Sequence, residues 1–288
     1  MKLDDTFHGI STLVKSMVGN IQVQGSAFFY LEYGERNKEK PQWIAIANNW
    51  LVTNRHIILP KIDGKETIPD KFIFNLWRIE SNAVKWLPVE LTKQDLLKRV
   101  KVHSDPEVDV AIIQILDILN DIIKNEPRDS QTLRTSILAP VSMSKEKLAG
   151  NNKIYPEVAD DIIVIGYPRE FYDLHNVFPI IKSGIIASKW GANFNGKRCF
   201  LIDAKLFPGS SGSIVISKPK DLVVENGQVL TAKEKQFGFL GIFSGEPFKE
   251  LQTVETDDMM IKVKAGFNVG IVWYGELIEE IIHNGKSL

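Results

Sequence analysis

Three short segments, far apart in the 288-residue chain, carry side chains that together could perform nucleophilic catalysis. His56 follows the apolar run of WLVTNRHIILP, Asp109 precedes the apolar run of SDPEVDVAIIQI, and Ser211 lies in FPGSSGSIV. A serine hydroxyl attacks a carbonyl carbon when a histidine within hydrogen-bond reach takes its proton, and a buried carboxylate orients that histidine. The three residues are therefore candidates for a nucleophile, its base and the orienting carboxylate.

The small residues around Ser211 have a possible use in the same chemistry. Glycines at positions 209 and 212 let the chain turn tightly, and a side chain at either would crowd the turn. Backbone N–H groups near Gly209 and Ser211 could then point toward one place and stabilise an oxyanion. The alternative is an ordinary hairpin turn, which is the commoner meaning of a serine between glycines.

Each of these signals is weak alone. A histidine beside an apolar run is usually structural, and an aspartate before a strand commonly makes local hydrogen bonds. Asp105 is a second candidate carboxylate, but it precedes Pro106 in HSDPE, which is typical of a turn, so Asp109 is preferred. The chain order His, Asp, Ser is one of three that such triads use on unrelated folds, and it belongs to a two-barrel fold.

The elements that must position these residues are mostly short strands. Apolar, β-branched or aromatic runs separated by polar turns recur along the chain, for example KFIFNLWRI, DIIVIGYP and FGFLGIFSG. Many short strands of this kind are typical of β-sandwiches and barrels. The polar stretch NEPRDSQTLRTS separates two such sets, which favours two barrels packed together.

Two segments have a helical period instead. In the first, apolar residues recur three and four positions apart: Phe7, Ile10, Leu13, Val14 and Met17. In GELIEEIIHNG the residues that share one face are Leu277, Ile278, Ile281 and Ile282. We predict an all-β fold of two packed six-stranded antiparallel β-barrels, with an N-terminal helix over residues 1–20, barrels over 21–135 and 136–274, and a C-terminal helix over 275–288.

Composition excludes several classes of partner. The formal net charge is −1, which gives no broad field for nucleic acid or an anionic membrane. Cys199 is the only cysteine, so no internal disulfide forms, and no apolar run approaches the length of a membrane-spanning helix. We expect a cytoplasmic protein. The histidines lack metal-ligand spacing and no nucleotide motif is present, so we expect no metal and no other cofactor.

The chain as a whole resembles the trypsin-like serine peptidases of the chymotrypsin fold and, within them, the bacterial HtrA/Deg-type branch. GSAFFY is similar to that branch's G-[ST]-G-F strand, WLVTNRHII to its I-L-T-N-x-H-V segment, and VDVAIIQI to its D-[LV]-A-[LV]-[LI] strand. IDAKLFPGSSGSIV resembles T-D-A-x-I-N-P-G-N-S-G-G-P-[LV]. The similarity runs from about Gly25 to the final helix, without the PDZ module that the branch usually appends.

This resemblance implies a role for each candidate. Ser211 is the nucleophile, His56 the general base and then acid, and Asp109 the orienting carboxylate. The strand IFSG pairs with an extended peptide, which makes a protein or peptide the substrate. The resemblance assigns the oxyanion hole to Gly209, Ser210 and Ser211, and substrate binding to Lys205, Phe207, Ser244 and Gly245.

Some positions depart from the family's pattern. Ser213 and Ile214 replace the usual second glycine and proline, and the Ser213 side chain is expected to narrow the space behind the nucleophile. Ser210 stands where zymogen-type relatives carry an aspartate that pairs with a newly cut N-terminus, which predicts no such activation. Lys205 lies at the expected base of the primary specificity pocket. There it would attract an acidic substrate side chain, although we favour extension of Lys205 into solvent.

The leading hypothesis is therefore a cofactor-free serine endopeptidase that acts through an acyl-enzyme. Two alternatives stay open. The chain could be a silent or latent scaffold that binds an extended peptide without cutting it. It could also be a dedicated protease that cuts one partner in a cell-defence or toxin-like system. The sequence does not indicate an oligomeric state.

Overall fold

The computed structural model describes residues 3–36, 44–80, 83–125, 140–169, 171–225, 228–256 and 259–288. The predicted boundary between the two barrels, at residues 135–136, lies outside the described residues. The described chain is mostly β-strand. None of its helices is long and apolar enough to cross a membrane.

The strands are, in chain order, β1 Ser11–Val18, β2 Ile21–Arg36, β3 Ile44–Thr53, β4 Lys61–Ile62, β5 Lys65–Glu66, β6 Lys71–Glu80, β7 Ala83–Thr92, β8 Val100–Val102, β9 Ala111–Gln114, β10 Ser142–Ser144, β11 Asp161–Gly166, β12 Ile180–Ile186, β13 Cys199–Asp203, β14 Ile214–Ser217, β15 Lys220–Glu225, β16 Gln228–Gln236, β17 Phe239–Gly245, β18 Phe248–Thr256, β19 Met259–Gly266, β20 Gly270–Tyr274 and β21 Lys286–Ser287. The helices are α1 Leu3–Gly9, α2 Arg55–Ile58, α3 Lys93–Arg99, α4 Leu116–Asn125 and α5 Leu277–Asn284, with a short 3-10 helix Lys145–Lys147.

The second half of the chain closes into a six-stranded antiparallel barrel in the order β11-β12-β13-β20-β17-β14. Its interior is filled by apolar side chains that alternate along the strands, such as Ile162 and Val164 on β11 and Phe200 and Ile202 on β13. This period of two is the pattern of a strand with one face on a core. A closed six-stranded barrel is therefore present in this half of the chain, as predicted, and its strands lie between Asp161 and Tyr274.

The prediction that the first half of the chain forms a closed barrel is wrong. Nine described strands form one sheet instead, in the order β21-β8-β9-β3-β2-β1-β6-β7 with β10 beside β2, and its edges at β7 and β21 do not pair with each other. Helix α3 connects β7 to β8 and lies against β7 and β21. Its Leu96 is fully buried in the core of the sheet, so a helix fills the gap that strand pairing would have closed.

The predicted N-terminal helix is also wrong over most of its length. Helix α1 ends at Gly9, and the next residues form β1, which pairs with β2 and β6. Both faces of β1 are covered near its start, and its polar Ser11, Thr12 and Ser16 are buried as well. Burial on both faces hid the alternation that distinguishes a strand, and the apolar positions matched a helical period by coincidence.

A shared core joins the sheet to the barrel. Phe28 of β2 meets Phe239 of β17 edge to face, with 5.4 Å between ring centroids. Helix α5 packs on the same core, and its buried residues are Leu277, Ile278, Ile281 and Ile282. The candidate site residues are therefore held by two sheets that pack directly against each other.

Candidate active site

His56 and Asp109 lie at the same end of two neighbouring strands. Strand β3 ends at Thr53, and His56 is on the single-turn helix α2 that follows. Asp109 comes just before β9, which pairs with β3. Between them Asn54, fully buried, donates from Nδ2 to the Asp109 carbonyl over 2.7 Å. The strand pairing and the Asn54 bond together fix the spacing of the two candidates.

The carboxylate of Asp109 holds His56 at two points. Oδ1 accepts the His56 backbone N–H over 2.9 Å, and Oδ2 lies 2.7 Å from Nδ1. A carboxylate at this distance accepts a hydrogen bond from Nδ1–H, so the neutral ring carries its proton on Nδ1 and has its free lone pair on Nε2. The His56 side chain is 43% exposed and the Asp109 side chain is 20% exposed, so the ring remains accessible to solvent.

Ser244 links this pair to Ser211. Its hydroxyl donates to Asp109 Oδ2 over 2.6 Å, and its carbonyl accepts the Ser211 hydroxyl over 2.8 Å. Ser244 is the bulged residue of β17, where the register against β20 shifts by one position. In the described residues the Ser211 hydroxyl is bonded to this carbonyl and not to His56. The structure therefore connects the three candidates through Ser244, without a direct bond between Ser211 and His56.

Hydrogen bonds on either side fix the peptide planes of the loop at residues 207–213. The Pro208 carbonyl accepts from the Arg169 N–H over 2.7 Å, and the Ser210 carbonyl accepts from the Ser213 N–H over 3.0 Å. In a trans peptide the N–H points away from the carbonyl. The N–H groups that follow, those of Gly209 and Ser211, therefore point away from these contacts, and neither has an acceptor within the described chain.

The glycines of the loop are required by their surroundings. Gly209 has φ +89°, and a Cβ there would lie 2.4 Å from the Arg169 nitrogen. Gly212 has φ +83°, and a Cβ there would lie 1.9 Å from the Ser26 carbonyl oxygen. These are left-handed conformations with backbone at contact distance, which only glycine fits.

A pocket of about 160 Å³ opens beside Ser211. The predicted substrate-binding residues Lys205, Phe207 and Gly245 line it. Other lining residues are Ala204, Leu206, Pro208, Phe243, Glu246, Asn268, Val269 and Gly270. The walls are mostly apolar, and the charged side chains, Lys205 and Glu246, are exposed.

The structure places two other candidates outside the contacts of His56. Asp105 accepts the Glu107 N–H over 2.9 Å in an exposed turn, as expected from its proline neighbour. Ser210 is only 2% exposed, and its hydroxyl has no partner among the described residues. Its side chain is buried and its N–H donates to the Phe207 carbonyl over 3.1 Å, so the structure does not leave the N–H of Ser210 free for the predicted oxyanion hole.

Sequence reasoning missed two residues that contribute to the site. Asn54 and Ser26 bind backbone groups of Asp109 and of the Ser211 loop, respectively. Their partners are remote in sequence, and a buried polar residue inside an apolar run has no distinctive pattern. The only available signal was a polar side chain where an apolar one was expected.

The chain was compared with known proteins in sequence and in fold. The profile of the trypsin-like peptidase domain matches residues 43–224. No curated protein matches the chain in sequence. Among solved structures, the HtrA-type protease AlgW with tripeptide is 14% identical, with 97% of this chain and 62% of that chain covered and a TM-score of 0.49.

Two further structures are similar at the same level. The Rv3671c protease from M. tuberculosis in its active form is 13% identical over 99% of this chain and 84% of its own, with a TM-score of 0.45. The serine endoprotease from Yersinia pestis is 12% identical over 98% of this chain and 65% of its own, with a TM-score of 0.45. The chain thus spans less than two thirds of AlgW and of the Yersinia enzyme. These identities and TM-scores are too low to support a family assignment by themselves. The profile match covers more than half of the chain and is the basis of the assignment. The predicted resemblance to trypsin-like peptidases is confirmed: the chain belongs to the trypsin-like peptidase domain family.

Proposed function

We propose that the chain is a serine endopeptidase in which Ser211 is the nucleophile, His56 the general base and Asp109 the orienting carboxylate. The observation that carries this proposal is the two-point contact of Asp109 with His56, joined through Ser244 to Ser211. A histidine held by a carboxylate in one tautomer, beside a serine on a tight glycine turn, is the arrangement that acyl transfer to serine needs. Membership of the family supports the same class of reaction.

The proposed reaction begins when the Ser211 hydroxyl rotates from the Ser244 carbonyl toward Nε2 of His56. Nε2 takes the proton while Oγ bonds to the peptide carbonyl carbon, whose oxygen becomes negative. The N–H groups of Gly209 and Ser211 donate to that oxygen. His56 then gives the proton to the amine, the C–N bond breaks, and an acyl-enzyme remains. A water molecule then attacks the acyl carbon while His56 takes its proton. His56 returns that proton to Ser211 Oγ as the C–O bond breaks, and the carboxylic acid product leaves.

We propose an extended peptide as the substrate. The pairing of β17 with β14 ends at Ile242, so on that side residues 244–246 lie beyond the barrel pairing, where a peptide strand can add. The side chain before the cleaved bond would enter the pocket beside Ser211. Lys205 and Glu246 both line this pocket, so an acidic preference arises only if Lys205 dominates. The test compares the cleavage preferences of wild type and Lys205→Met on a peptide library. If Lys205 attracts acidic side chains, wild type prefers them and the variant does not.

A fluorophosphonate tests the proposed nucleophile. Ser211 Oγ forms a bond to phosphorus as fluoride leaves, so the intact mass rises by one phosphonyl group and the modified peptide contains Ser211. We expect this adduct in wild type and not in Ser211→Ala or His56→Ala. Ser183→Ala, which removes an exposed serine of β12, is the matched control and should react like wild type.

The same experiment separates the alternatives. Absence of an adduct from the folded wild-type protein would contradict the proposal and favour a scaffold that binds peptides. An adduct without cleavage of casein would favour a protease dedicated to one partner. Adduct formation at another residue would contradict the assignment of Ser211.

A further inference from the structure

Ser26 lies on β2 of the nine-stranded sheet, but its hydrogen bonds reach the Ser211 loop of the other half. It is fully buried. Its N–H donates to the Ser211 carbonyl over 2.7 Å, and its hydroxyl donates to the Gly209 carbonyl over 3.5 Å. Its own carbonyl accepts from Thr53 Oγ1 over 2.7 Å, which fixes Ser26 against β3. Ser26 thereby holds two carbonyls of the loop from outside the barrel.

The acceptor positions of the Ser26 hydroxyl are filled from the barrel. The Tyr167 N–H donates to it over 2.8 Å, and the Ser213 hydroxyl donates over 3.2 Å. A hydroxyl offers one donor and two acceptor positions. All three are used here, and a buried network in which every member is satisfied holds its parts in one arrangement.

The Ser213 side chain belongs to this hydrogen-bond network and does not extend into the proposed substrate-binding pocket. It is 1% exposed, and its hydroxyl bonds only to Ser26 among the described residues. A Cβ at Gly166 would lie 1.8 Å from the Ser213 Oγ, so the absence of a side chain at Gly166 makes room for it. The serine that replaces the family's glycine therefore occupies space left by Gly166.

We propose that Ser26 is a positioning residue, which acts with the Ser213 hydroxyl to keep the N–H groups of Gly209 and Ser211 directed into the cleft. This inference rests on the proposed function for its catalytic consequence. Glycine has wide conformational freedom, and Gly209 keeps its left-handed conformation only while its neighbours restrain it. Without the Ser26 hydroxyl, the Gly209 carbonyl and the Tyr167 N–H each lose a partner, and the loop gains other conformations.

The test compares Ser26→Ala, Ser213→Ala and the double variant with Ser11→Ala. Ser11 is a matched control, because it is another fully buried serine of the same sheet whose hydroxyl donates to a backbone carbonyl, that of Ala27, over 3.1 Å. Hydrogen–deuterium exchange of residues 204–216 reports the order of the loop without any need for activity. Steady-state kinetics on one peptide amide gives kcat and KM. Binding of a peptide aldehyde, which forms an oxyanion, is compared with binding of the matching carboxamide, which does not.

We expect Ser26→Ala to speed exchange in the loop, to lower kcat about 10- to 100-fold with KM nearly unchanged, and to weaken aldehyde binding by a similar factor. Carboxamide binding should stay the same, as should all readouts in Ser11→Ala. The double variant should be no slower than Ser26→Ala, because both hydroxyls belong to one network.

Three results would overturn the inference. If Ser26→Ala had the same exchange rates and the same kcat as wild type, the Ser26 hydroxyl would not position the loop. The same losses in Ser11→Ala would show a general loss of stability. Multiplied losses in the double variant would show two independent contacts. If wild type itself fails to react with aldehyde or phosphonate, the proposed function fails, and the exchange comparison still decides whether Ser26 orders the loop.

Discussion

At the scale of single residues, the Asp109 carboxylate accepts three hydrogen bonds from the described residues, and they serve different ends. Two come from His56 and fix the position and tautomer of the ring. The third comes from Ser244, whose carbonyl also bonds Ser211. The carboxylate therefore contacts both His56 and the strand that we propose for substrate binding, and the two contributions can be separated by mutation.

Ser244→Ala should lower kcat by about tenfold or less, because both bonds from His56 to the charged carboxylate remain. Asp109→Asn should lower kcat by about four orders of magnitude, since an amide nitrogen facing Nδ1 favours the wrong tautomer. The measurement is single-turnover hydrolysis of one peptide ester by both variants. Equal losses would contradict the division of roles described above.

Gly212→Ala should abolish phosphonate labelling and reduce the free energy of unfolding by more than about 2 kcal/mol. The added Cβ would meet the Ser26 carbonyl, which is backbone and cannot move aside. Gly191→Ala is the control, because Gly191 also has a positive φ, +75°, but its Cβ would meet nothing within 4 Å. Similar urea midpoints for the two variants would mean that backbone strain, and not the contact, determines the loss.

At the scale of elements, the sequence predicted those strands that alternate and helix α5, whose apolar face is continuous. It failed at β1, because Ser11, Thr12 and Ser16 are buried polar residues that satisfy their hydroxyls on backbone carbonyls. It also could not predict β10 and β21, which are two or three residues long and pair with strands remote in sequence. Pairing of such short strands is decided by tertiary packing, and local pattern does not carry it.

Helix α5 is tied to Arg198, the residue just before β13, by a charged contact that should depend on pH. The Arg198 guanidinium beside Glu280 holds the pKa of that carboxyl below its usual value. A carboxyl with a lowered pKa in the folded state stabilises the fold above its unfolded pKa and loses that contribution as the pH falls through the folded pKa.

We therefore expect Glu280→Gln to be less stable than wild type at neutral pH by less than about 1 kcal/mol, because the pair is partly exposed. The difference should shrink as the pH falls below the ordinary glutamate value of 4.5. Urea denaturation of both proteins across this range checks the sign. A difference that grows toward acid would contradict the assignment.

At the scale of the whole molecule, the sheet and the barrel share one core. It includes Phe28 and Tyr30 of the sheet together with Phe239 and Ile242 of the barrel. The sequence predicted two β-rich halves and the three segments that meet between them. It could not predict the contacts that cross the junction, such as Ser26 with Ser211, because these depend on how the two sheets pack.

This shared core predicts that both halves unfold together. Phe239→Ala should lower the denaturant midpoint of both sheets equally, since a truncated aromatic in a core costs about 3–5 kcal/mol. Hydrogen exchange of peptides from β6 and from β12 follows each sheet separately in the same sample. Two distinct midpoints in either protein would contradict a single cooperative unit.

The crossing of Ser26 into the Ser211 loop has a consequence for biosynthesis. A chain emerging from the ribosome folds its earlier part first. The proposed base His56 and its proposed carboxylate Asp109 are translated early, the Ser211 loop is translated much later, and the segment that forms β21 follows later still. Under the proposed function, a nascent chain therefore carries only part of the site and cannot form the acyl-enzyme before the Ser211 loop has been translated.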